Sequence, residues 1–182
     1  MSTVRGITGG TKDVNPQFVS GSVTLGAANT YKQETVPTPI VKVGQTQGSA
    51  VILEILKVMV DGPDVDLDNA AATTRTATLQ FTTNSQSAIA PFSLSTMFAY
   101  YSKATRNAFT AAGTGILYDE TSPYVLDLTD GAGHGVLVAS DNIFIGGVTS
   151  GYTGAATFTY KILYRFKRVS LVEYIGIVQS QQ

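Results

Sequence analysis

The stretch Asp130-Gly-Ala-Gly-His-Gly135 holds the residue types best suited to chemistry. His134 is the chain's single histidine. It could act as the base of a Ser-His-Asp hydrolase, with Asp127, Asp130 or Asp141 orienting the imidazole. No G-x-S-x-G elbow presents a serine nucleophile to it. One histidine also cannot build a multi-histidine metal site. The glycines at 131, 133 and 135 fall short of a dinucleotide fingerprint, which needs glycine where Val136 stands. The residues after Gly135 read as a strand, so no helix N-terminus is offered to a phosphate. No catalytic residue is assigned, and the chain is read as a non-enzyme. Asp130, Gly131, Gly133, His134 and Gly135 are expected to form a tight loop that meets a neighbouring subunit.

Two further clusters carry charge. Asp64, Asp66 and Asp68 alternate as in the opening of a calcium loop. The sixth and twelfth positions of such a loop want Gly and Glu, but hold Asn69 and Arg75. The expectation is a solvated acidic loop, with calcium as the weaker candidate and no other cofactor. Lys161, Arg165, Lys167 and Arg168 form the densest basic patch. Aromatic residues interleave with them, but alternation sends Tyr160, Tyr164 and Phe166 to the face opposite Lys161, Arg165 and Lys167. The aromatics are therefore core rather than a base-stacking platform. The basic face can contact phosphates nonspecifically, or pair with acids of a neighbouring subunit.

The elements that must position these residues read as strands. "QFVSGSVTLG", "NTYKQETV", "RTATLQFTT", "GILYD", "YVLDL" and "ATFTYKILYRFKRV" are strand candidates, bounded by Gly, Pro, Asn and Asp. "SAVILEILKVMVDG" reads as a long buried strand. Alternation sets Val51, Leu53 and Ile55 on one face, and Ile52, Glu54, Leu56, Val58 and Val60 on the other. In "PFSLSTMFAYYSKA", Leu94, Met97, Phe98 and Tyr101 recur at three and four residues, which predicts a short helix. "SLVEYIGIV" is a short final element. Residues 1–16, with Gly6, Gly9, Gly10 and Pro16, read as a flexible or extended arm ahead of one domain over 17–182. About eight strands with one or two short helices and no βαβ alternation predict an all-β antiparallel jelly-roll sandwich.

Charged residues make up only 14% of the chain, with a net charge of -1. So few charges, replaced by Thr, Ser, Ala and Gly, leave a surface poorly defended against association. The near-neutral balance argues against a strongly electrostatic nucleic-acid binder. No cysteine is present, so disulfide and thiol chemistry are excluded. The N-terminus has no apolar signal core. The apolar run Val51–Val60 is broken by Glu54 and Lys57 and is too short to span a bilayer as a helix. No membrane partner is expected.

Three segments carry a resemblance: "SAVILEILKVMVD", "SPYVLDLTDGAGHGVLVASDNIFIGG" and "FTYKILYRFKRVSLVEYIGIVQSQQ". They resemble capsid proteins of small circular single-stranded DNA viruses that encode a rolling-circle replication protein. The resemblance implies a single jelly roll whose identical subunits close into a small icosahedral shell around a single-stranded DNA genome. It places the protein in the virion, assembled inside the host cell. That family often begins with an arginine-rich arm, whereas here the arm's basic residues are only Arg5 and Lys12. They join the basic patch as candidate phosphate contacts. The alternative from a different class is a carbohydrate- or receptor-binding jelly roll of the lectin or spike kind.

Overall fold

The computed structural model describes residues 15–26, 29–38, 48–63, 74–106 and 123–181. Asp64, Asp66 and Asp68, Arg5 and Lys12, and the "GILYD" segment lie outside them.

The described residues form nine strands and one helix: β1 (Gln17–Leu25), β2 (Lys32–Pro37), β3 (Ser49–Asp61), β4 (Thr74–Thr82), β5 (Met97–Arg106), β6 (Tyr124–Asp127), β7 (Val136–Val138), β8 (Asn142–Ser150), β9 (Ala156–Ser170) and α1 (Leu171–Ser180). All pairings are antiparallel. One sheet runs β1-β9-β3-β6, with β7 also on β3; the other runs β2-β8-β4-β5. Four of these pairings nest: β1 with β9, β2 with β8, β3 with β6 and β7, β4 with β5. That is one long hairpin rolled on itself, which is the jelly-roll topology the strand pattern predicted.

The inner faces of the two sheets meet in one apolar core. Val23, Leu53, Ile55, Leu79, Phe81, Ile145, Phe158 and Ile162 sit at its centre, each essentially inaccessible to water. The predicted alternation holds in β4, where Ala77, Leu79 and Phe81 face inward. It holds in β9 for Phe158, Tyr160, Ile162 and Tyr164, with Phe166 half-buried at the end. Phe81 meets Tyr160 edge-on, and Tyr101 meets Phe158 likewise. Such tilted ring pairs add to the stabilisation from area burial.

Two sequence expectations are corrected. First, the face assignment in β3 fails after Ile55. Ile55 pairs with Tyr164 and Lys57 with Leu163, so Leu56 is an extra residue, a β-bulge. The bulge flips the parity, and Val58 and Val60 join Leu53 and Ile55 on the core side. Second, "PFSLSTMFAYYSKA" is not a helix. It is a turn followed by strand β5. Phe81 pairs with Ala99 and Thr82 with Met97, which leaves Phe98 as the extra residue. The bulge lets Phe98, Ala99 and Tyr101 all reach the core, imitating a helical spacing. The short final element, left untyped by its sequence, is the helix α1. Its Tyr174, Ile177 and Val178 pack on Ala50, Ile52, Ala139 and Val169, on the outer face of the β1-β9-β3 sheet.

Candidate functional site: the 127–135 loop and the basic strand

The loop from Asp127 to Gly135 joins β6 to β7 and is held from within by Asp130. One carboxylate oxygen of Asp130 accepts from the backbone N–H groups of Ala132 (2.9 Å) and His134 (2.8 Å). The other lies 3.1 Å from His134 Nδ1. The backbone closes the turn, with Gly133 N–H donating to the Asp130 carbonyl and Asp130 N–H to the His134 carbonyl. These donors, the His134 N–H foremost, hold the Asp130 carboxyl below its ordinary pKa. Gly133 sits at φ +82°, a conformation glycine adopts without steric cost. At the loop's start, Thr129 and Lys57 lower the Asp127 carboxyl to about 2.

The loop is then clasped to the sheet. Glu54 on β3 is fully buried. It accepts from the Gly135 N–H (3.1 Å), from Arg165 Nε and from Lys167 Nζ (3.3 Å). Arg165 also donates to the Gly133 carbonyl at 3.2 Å. Burial pushes the Glu54 carboxyl up, but Arg165, the Gly135 N–H and Lys167 together outweigh it and hold it low. Gly135 must be glycine, because a Cβ there would overlap the Ile55 carbonyl oxygen.

The sequence-predicted residues separate. Arg165 and Lys167 meet on Glu54, which takes up part of their charge. Lys161 is exposed four residues away, at a cleft with Ser20, Met59, Asp61 and Thr159. Arg168 is exposed too, but two residues past Phe166 it shares the parity of the inward face, opposite Val51. Asp130 and His134 stay at the surface, with side chains 57% and 56% exposed. The imidazole there is solvent-exposed and faces a carboxylate from its own turn, an arrangement that serves the turn. Among the described residues, no group of three or more His, Asp or Glu gathers for a metal, and no helix is long and apolar enough to cross a membrane. Sequence reasoning missed Glu54, the residue that ties the basic strand to the loop. Its signal was a carboxylate inside an otherwise apolar run.

The rolled-hairpin order and its bulged strands define a jelly roll, and the comparisons agree at that level. No family model matches the chain, and no curated protein matches it. Among solved structures, it is similar to VP1 of Trichodysplasia spinulosa-associated polyomavirus in complex with GM1 oligosaccharide. The TM-score is 0.53 at 10% identity, over 88% of this chain and 97% of that one. It is also similar to an unassembled pentamer of a Washington University polyomavirus VP1 mutant. There the TM-score is 0.52 at 10% identity, over 85% of this chain and 95% of that one.

Proposed function

We propose that this chain is a structural subunit of a viral capsid, and that its copies close into a small icosahedral shell around a single-stranded DNA genome. The observation that carries the reading is the nested strand order, whose fold likeness is to polyomavirus VP1. The genome type rests on the resemblance of the 122–147 and 158–182 segments to capsid proteins of small circular single-stranded DNA viruses. Chemistry supports a building role. The histidine loop is clasped by structural hydrogen bonds, and the surface carries few charges to oppose packing. Identical subunits repeat each weak contact until a closed shell is stable.

In this reading the 130–135 turn meets a neighbouring subunit. Arg5 and Lys12 reach DNA phosphates, together with Lys161 and Arg168. Arg165 and Lys167 contribute less, because Glu54 already holds them. The protein belongs to the virion and assembles in the host cell. Electron microscopy and sedimentation of the purified full chain test the reading. Closed particles far above 19.2 kDa are expected. A monodisperse monomer across salt and pH overturns it.

A second reading, a glycan-binding jelly roll, is favoured by the GM1 oligosaccharide held by one fold neighbour. Binding on a glycan array by a small oligomer that forms no particles would select it.

A further inference from the structure

Sheets end in edges, and an unpaired edge strand is a template for another chain unless something blunts it. Among the described residues the sandwich has four edges: β2 and β5 on one sheet, β1 and the β6/β7 pair on the other. Three are blunted. β2 carries Lys32, Glu34 and a terminal Pro37. β5 carries Lys103. β6 is four residues long and ends in Asp127. β7 is three residues long, and Gln181 caps it as a strand would, accepting from the Ala139 N–H (3.0 Å) and donating to the Leu137 carbonyl (2.6 Å).

β1 has none of these devices. It runs nine residues, QFVSGSVTL, with no charge and no proline. Its outward side chains Phe18, Ser20, Ser22 and Thr24 are exposed, Phe18 at 61%. At its C-terminal end Lys32 Nζ donates to the Thr24 carbonyl at 3.0 Å. Among the described residues, β9 is the strand that pairs with Val19 to Val23, and their other edge has no strand on it.

We infer that the free edge of β1 pairs antiparallel with β1 of a second copy of this chain, about a two-fold axis through Gly21. The strand is self-complementary in that register. Val19 falls opposite Val23 on the core side, Ser20 opposite Ser22 outside, and glycine opposite glycine at the axis. No charge meets a like charge, which is the condition an edge of Lys or Glu would violate. The two sheets become one continuous sheet across an isologous interface, and the exposed Phe18 lies over the partner's Ser22 and Thr24. The inference rests on the subunit reading only in taking an identical chain as the occupant.

The absence of native cysteine permits a register test. Chains carrying Ser20→Cys and Ser22→Cys are co-expressed and mildly oxidised, and each variant is oxidised alone. Directly opposed strand positions lie within disulfide reach, whereas diagonal ones do not. The co-expressed pair is expected to give a disulfide-linked dimer on non-reducing gels, in several-fold excess over either variant alone. Equal yields in all three samples, or none, overturn the inference. A second variant, Ser20→Lys with Ser22→Lys, places charges on solvated positions and is expected to unfold cooperatively, as the parent does. Its two-fold contact should be lost, read as a lower sedimentation coefficient; an unchanged coefficient overturns the inference. Particles without the register-specific cross-link remove this contact and leave the capsid reading standing. Cross-linked dimers that never form particles do the reverse.

Discussion

At the residue scale, the loop that looks most like chemistry is governed by two residues outside its histidine. Glu54 is buried among three donors. Its pKa is held below the unfolded value of about 4.3. A depressed carboxyl stabilises the fold above its unfolded pKa, and that contribution is lost as pH falls through the folded value. Glu54→Gln is therefore expected to lower stability at pH 7 by roughly 1.5–3 kcal/mol, the range for hydrogen bonds to charged groups. The difference from the parent should shrink as pH drops below about 4.3. Urea unfolding across pH checks both, and a constant difference down to pH 2 refutes the assignment. Gly135→Ala drives a methyl into the Ile55 carbonyl and should cost about 1–3 kcal/mol. His134→Ala touches only an exposed pair and should stay within about 0.5 kcal/mol. Thermal unfolding of the two variants side by side separates architecture from chemistry. The sequence displayed Arg165 and Lys167 on one face by simple alternation. It could not display Glu54 between them, since that partner is set by strand pairing more than a hundred residues away.

At the element scale, legibility followed the regularity of the period. β4 and most of β9 keep strict alternation, and their core faces were readable without coordinates. β3 and β5 each insert one residue, and a single bulge reverses every assignment beyond it. In β5 the inserted Phe98 turned a period of two into apparent helical spacing. The helix α1 was hidden for another reason: its short β-branched sequence favours strand. Its signature is Ser170 followed by Glu173, three residues on, and the Ser170 hydroxyl does accept from the Glu173 N–H at 3.2 Å. Ser170→Ala should destabilise by about 1 kcal/mol. Deleting Leu56 is the sharper test of the bulge. Ile55 stays opposite Tyr164 and Lys57 opposite Leu163, now as consecutive pairs, so Val58 and Val60 keep the core side. What is lost is the buried Leu56 side chain and its carbonyl's bond from the Leu128 N–H. The variant is expected to keep a cooperative transition by circular dichroism at a cost of about 2–5 kcal/mol. Loss of the transition would mean that the faces beyond Ile55 are not set by this one extra residue.

At the scale of the whole molecule, the proposed shell contacts and genome contacts should respond differently to salt. Charge is sparse and near balance, so in the proposed shell the contacts between copies would rest on neutral and apolar surface. Screening acts on exposed charges and leaves such contacts nearly untouched. Contacts to single-stranded DNA behave otherwise, because each neutralised phosphate releases counterions and adds about 0.7 to the logarithmic salt slope. Particle yield is therefore expected to vary little with salt, while DNA retention falls steeply. The basic residues on β9 should not contribute equally. Lys161 and Arg168 are exposed, whereas Arg165 and Lys167 share the charge of Glu54. Replacing Lys161 and Arg168 together with Ala should flatten the slope by about 1.4. Replacing Arg165 and Lys167 should flatten it less while costing stability, because Glu54 is left buried without its two cations. Fluorescence titration of a labelled single-stranded oligonucleotide at several salt concentrations measures both slopes. Equal flattening by the two pairs would mean that Glu54 does not hold its cations back from the phosphates.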